Sequence, residues 1–142
     1  MDPLKAQPVS QLWLNEFHWE QMRADVGRRA PEEACGLVAG RDRHALAVFP
    51  VDNALHSPVR YRIDPQEQLN VFLLIEEKGW ELLAIYHSHP KGPAGPSTTD
   101  IQEAYYPQAV YLIWSQVNGD WHCRGYSIRE GQVSEVLISV IP

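Results

Sequence analysis

The sequence predicts an α+β fold, a mixed and largely antiparallel sheet with helices packed around it. Short apolar segments bounded by turn residues outnumber the helical ones. Two longer segments carry helix start and stop signals instead. Tight-turn signals at Asn118-Gly119-Asp120 and Glu130-Gly131 join the last strands, as antiparallel neighbours require. At 142 residues the chain reads as one domain, 1–142, long enough to bury a core.

Residues 10–14 are a short strand or lead-in. Residues 15–27 form a helix with Phe17, Met22 and Val26 as its apolar stripe. Residues 34–39 are an apolar strand that ends at Gly40-Arg41-Asp42, and His44–Val51 is its antiparallel partner. Residues 52–64 are irregular, or hold a short strand around Tyr61. Pro65 suits the first position of a helix over 65–79, with Leu69, Phe72 and Leu73 turned inward and Gly79 as the stop. Residues 82–89 are a buried strand, and Ser97 opens a helix over 98–106. After Pro107, residues 109–115, 121–129 and 132–141 complete the sheet.

Composition narrows the function. Twelve basic and 18 acidic residues give a net charge of −6, against the basic patch that nucleic-acid binding requires. No run of 18 apolar residues spans a membrane. Met1-Asp2-Pro3-Leu4-Lys5 lacks the apolar core of a signal peptide. Cys35 and Cys123 are too few for a disulfide framework and read as free buried thiols in a reducing cytoplasm. His18, His44, His56 and His122 have no ligand-like spacing, and Trp80, Trp114 and Trp121 read as core packing.

The chemistry concentrates in Tyr86-His87-Ser88-His89-Pro90, a Gly/Pro-rich loop, and Ser97-Thr98-Thr99-Asp100. Residues i and i+2 of a strand share a face, so His87 and His89 project together while Ser88 points away. Pro90 cannot donate to a sheet ladder, so the strand stops there. The loop can bring Asp100, in the first turn of the next helix, against the strand end. Two imidazoles and a carboxylate would then supply three ligands to one metal ion, with the fourth position left for water as in catalytic zinc sites. A competing reading is a capping box, because Ser97-x-x-Asp100 also satisfies free N–H groups at a helix start.

A hydrolytic site also needs a proton acceptor near the nucleophilic water. Glu32 and Glu33, at the head of the strand over 34–39, are equally placed by sequence alone. The competing reading of both is a solvated turn.

Glu33 before Ala34-Cys35-Gly36, then His87-x-His89-Pro90, Ser97 and Asp100, resembles the JAMM motif of the MPN-domain metalloproteases, the JAB1/MPN/Mov34 group. The resemblance reaches from about Leu12 to the last strand. It selects Glu33, because the family's glutamate stands three residues before the glycine. It implies the MPN, cytidine-deaminase-like fold and one Zn2+ per chain held by His87, His89 and Asp100. It also implies Glu33 as general base and Ser97 as a hydrogen-bonding partner of the oxyanion. Small single-domain members of the prokaryotic type trim ubiquitin-like or sulfur-carrier proteins ending in Gly-Gly. The implied partner is therefore a protein with an extended C-terminal tail, able to add as a strand to a sheet edge; a homodimer is left open. Arg60-Tyr61-Arg62 reads first as an ordinary solvated strand, although the resemblance sets it in a linker near the substrate groove. Two alternatives stand beside the peptidase, a non-catalytic MPN scaffold and a zinc hydrolase acting on another small amide. A zinc deaminase would need a Pro-Cys-x-x-Cys segment, which the sequence lacks.

Overall fold

The computed structural model describes residues 9–142, so the N-terminal stretch read above for a signal peptide lies outside the described residues. The element order is β1 (Gln11–Asn15), α1 (Glu16–Arg29), β2 (Cys35–Arg41), β3 (His44–Val51), α2 (Pro65–Lys78), β4 (Glu81–His89), α3 (Thr98–Gln102), β5 (Val110–Val117), β6 (Asp120–Arg129) and β7 (Gln132–Ile141). The strands close into a barrel in the order β1-β3-β2-β4-β5-β6-β7, with β1 returning to β7. Four of the seven pairings are antiparallel, and β1–β3, β1–β7 and β4–β5 are parallel. The three hairpin turns put positive φ at both central residues, Asp42-Arg43, Asn118-Gly119 and Glu130-Gly131, the form that matches strand twist.

Alternation along β4 divides the core between two faces. Ala84 and Tyr86 join a cluster with Met22 and Val26 of α1, whereas Ile85 joins one with Val71 and Ile75 of α2. His87 and His89 continue the α2 face. β4, which carries the histidines, and its neighbours β2 and β5 are each paired on both sides, so an added tail strand finds no edge there.

Several expectations need correction. Phe17 is 72% exposed, and the buried positions of α1 are His18, Met22, Asp25 and Val26. A stripe interrupted by His and Asp hides its period from a reading based on apolarity. In α2, Val71 and Ile75 are buried while Leu69 and Leu73 are 51% and 56% exposed, because residues two apart on a helix face nearly opposite ways. Helix α3 ends at Gln102 rather than residue 106: Pro107 disfavours a helical Tyr106, whose N–H instead donates to the Tyr111 hydroxyl at 3.1 Å. Cys35 is buried, with burial pushing its thiol up to about 12, but Cys123 is half-buried.

Gly36 lies under the ring of Tyr86, which a Cβ would overlap. The ring cannot retreat, because the Tyr86 hydroxyl donates to buried Asp25 at 2.7 Å, and Asp25 is itself paired with Arg28 and Arg29. Gly36→Ala therefore destabilises the fold by about 1–3 kcal/mol or more, read as a lowered melting temperature. An unchanged melt would show that Tyr86 repacks freely.

Candidate active site

Three segments converge at the end of β4. Ser88 faces away from the histidines and fastens β4 to the approach of β2: its hydroxyl accepts the Ala34 N–H at 2.8 Å, and its own N–H donates to the Ala34 carbonyl at 3.0 Å. Cys35 stands opposite His87 in this antiparallel pair. Continued two residues past its last pair, that register sets Glu33 on the face of His89, and Glu33, His87 and His89 offer ligand atoms within 4.8 Å of one another. Glu32 faces the other way; its side chain is exposed and lies 3.6 Å from His56. Strand parity thus separates two glutamates that the sequence alone leaves equal.

Glu33 is 4% exposed. Burial raises its carboxyl to about 7, with His89 pulling it down and Asp100 pushing it up. Asn53 anchors the backbone here: its Nδ2 donates to the carbonyls of Glu33 and Arg60, both at 3.0 Å, and its Oδ1 accepts from Leu55 and Arg62 at 3.0 and 3.1 Å. Asn53→Ala strands four backbone groups, each costing roughly 1–3 kcal/mol where burial denies it water. A stability loss on the order of 3 kcal/mol in denaturant titration is expected, and a loss under about 0.5 kcal/mol would refute the anchor.

The loop after β4 folds back as expected. The His89 Nδ1–H donates to the Pro93 carbonyl at 2.6 Å; a carbonyl only accepts, so Nδ1 carries the hydrogen and Nε2 is turned to the site. Nε2 of His89 lies 3.0 Å from Nε2 of His87 and 3.1 Å from Oδ2 of Asp100, and that oxygen is 3.2 Å from His87 Nε2. The capping box also forms: Ser97 Oγ accepts the Asp100 N–H at 3.0 Å, and Asp100 Oδ2 accepts the Ser97 N–H at 2.9 Å. One carboxylate oxygen serves both readings. Burial works against its charge, but hydrogen bonds with His87 and His89 outweigh that and hold the Asp100 carboxyl well below the usual range.

Three lone-pair atoms this close need a proton or a cation between them. Four ligands about 2.0–2.1 Å from a tetrahedral zinc stand about 3.3 Å apart, so the 3.0–3.2 Å triangle fits that ion. Glu33, His87 and His89 also offer ligand atoms within 4.8 Å of one another, a group able to hold a metal. Two carboxylates thus compete for the third position. Contact favours Asp100, whose oxygen touches both imidazoles.

Tyr61 is not part of a solvated strand. It is half-buried and stacked on His87, with ring centroids 4.3 Å apart, and Arg60 and Arg62 beside it are exposed. A cavity of about 300 Å³ opens beside it, lined in part by Ile63, Gln68, Ile85, Tyr106 and Tyr111. Sequence reading missed Asn53, Ser88 and the Pro93 carbonyl, since nothing local in a polar loop residue announces what it anchors.

Residues 16–126, which carry all of these groups, match the family described as "Prokaryotic homologs of the JAB domain". The chain belongs to this family. Among its JAB relatives, a Thermus thermophilus protein named "Probable TtuB-protein conjugate cleaving protease" is 43% identical over 123 residues, covering 86% of this chain and 78% of that one. A "CysO-cysteine peptidase" of Mycobacterium tuberculosis is 38% identical over 127 residues, 84% of each chain. A Desulfitobacterium hafniense protein solved in solution superposes with a TM-score of 0.82 at 35% identity, covering 91% of this chain and 92% of that one. A JAB1/MPN domain protein from Archaeoglobus fulgidus, at 16% identity and a TM-score of 0.59 over 92% of this chain and all of its own, shares the fold. No helix of the described JAB fold is long and apolar enough to cross a membrane.

Proposed function

We propose that this chain is a zinc-dependent peptidase or isopeptidase. It hydrolyses an amide bond at the C-terminal tail of a ubiquitin-like or sulfur-carrier protein, within one domain spanning 1–142. The observation that carries the reading is the 3.0–3.2 Å triangle of His87, His89 and Asp100 beside the buried carboxylate of Glu33. The names of the Thermus and Mycobacterium relatives support the substrate class.

His87, His89 and Asp100 would hold the ion. Bound there, zinc would supply Lewis acidity that makes water a competent nucleophile near neutral pH and polarises the scissile carbonyl. Glu33 takes the proton from the attacking water and delivers it to the leaving amine. Ser97 Oγ accepts from the Asp100 N–H, so its own hydrogen is available to the developing oxyanion, where one aimed donor is worth about 3 kcal/mol. The extended tail runs along segment 52–64 and the cavity beside Tyr61, since β2 and β4 are interior strands.

The test joins metal content to cleavage. Protein purified without chelators carries about one zinc per chain. Intact mass then reports the loss of C-terminal extensions from ubiquitin-like proteins ending in Gly-Gly. Protein free of transition metal sinks the reading. Zinc-loaded protein that leaves every such extension intact overturns the substrate class.

A further inference from the structure

The two histidines of the triangle are held in different ways. A metal-ligating histidine ordinarily donates its second ring N–H to a carboxylate, carbonyl or water, which fixes the ring plane. His89 does so through Pro93. His87 does not: its Nδ1 is buried and has no hydrogen-bond partner among the described residues. Its neighbours across the sheet are Cys35 on β2 and Ile113 on β5. The Cys35 thiol is turned to the carbonyls of Val51 and Asp52. The χ2 torsion of an imidazole is broad, so with no polar anchor something else must set it.

The tyrosine ring meets that need. It lies on the fully buried imidazole with planes 21° apart and centroids at 4.3 Å. Tyr61 is itself fixed from both sides, because Asn53 binds the Arg60 carbonyl and the Arg62 N–H. We propose that Tyr61 is the positioning residue for His87, its ring face doing for this ligand what a hydrogen bond does for His89. The inference rests on the zinc reading above.

Zinc affinity, measured by competition with a chromophoric chelator, separates the outcomes. Tyr61→Leu fills the space without a ring face and binds zinc about 10–100-fold more weakly, as loss of a ligand's support does. Tyr61→Phe keeps the ring and stays within about 2-fold of the unmodified protein. Equal affinity in Tyr61→Leu overturns the proposal, and so does a Tyr61→Phe variant as weak as Tyr61→Leu, which would transfer the role to the hydroxyl. NMR of the unmodified zinc-loaded protein tests the same point without a variant that must fold. The His87 carbon-bound ring protons are shifted upfield by the phenol relative to those of His89, and their absence from that position also overturns it. Failure of the unmodified protein to bind zinc instead removes the metal reading and this inference with it.

Discussion

Glu33→Gln retains zinc and lowers kcat/KM by about 10²–10⁴-fold, the range that a positioned general base supplies. The amide keeps the size of the side chain and cannot accept the water's proton. The same substitution stabilises the metal-free protein at pH 8. The Glu33 carboxyl, ordinarily near 4.5, is raised to about 7 by burial. Its contribution to stability is therefore fully present below pH 4.5 and is lost as pH rises through 7, where the folded state must ionise a buried acid. Removing that acid returns on the order of 3 kcal/mol at pH 8 and almost nothing at pH 4. Denaturant melts of the metal-free variant at both pH values check this. A variant that cleaves as fast as the unmodified protein would dismiss Glu33 as the base. One that loses zinc would make it a ligand instead.

Asp100→Ala loses both zinc and activity. Two roles end together, because Oδ2 closes the capping box with Ser97 and completes the triangle with both imidazoles. Ser97 still caps the helix through the backbone N–H of residue 100, so only the bond from the Ser97 N–H to the carboxylate is lost, at a cost on the order of 1 kcal/mol of stability. Loss of the charged oxygen weakens zinc by more than the roughly 10–100-fold that removing a ligand's supporting partner costs. Asp100→Asn divides the roles. Its amide oxygen can still accept the Ser97 N–H, so the capping box is kept, while the charge that favours a dication is gone. Chelator competition beside thermal melts reads the two effects separately. If Asp100→Asn bound zinc as the unmodified protein does, the third ligand would be Glu33, whose carboxylate also lies within reach of the histidines.

Legibility followed the range of the interactions. His87 and His89 were placed on one face by strand periodicity, and β4 puts them there. The capping box was legible because its two residues are three apart. Phe17, Leu69 and Leu73 are apolar yet exposed, because apolarity alone does not fix which way a helical side chain faces, and the buried stripe of α1 runs through His18 and Asp25. Asn53 and Tyr61 could not be found locally. Asn53 acts on Glu33 twenty residues away and Tyr61 on His87 twenty-six away, both from an irregular segment with no period to read.

The spacing of His87, His89, Ser97 and Asp100 is legible locally, since strand alternation, proline and helix capping act over a few residues. The α+β class is legible too, through segment lengths and the glycine turns. The remaining features depend on long-range packing. Closure of the barrel, the choice between Glu32 and Glu33 by register against β4, and the stacking of Tyr61 on His87 arise from contacts between strands and loops distant in sequence. Only packing brings such groups together, because the chain must first give up the entropy of closing long loops, and no short window of residues records where that loss is recovered.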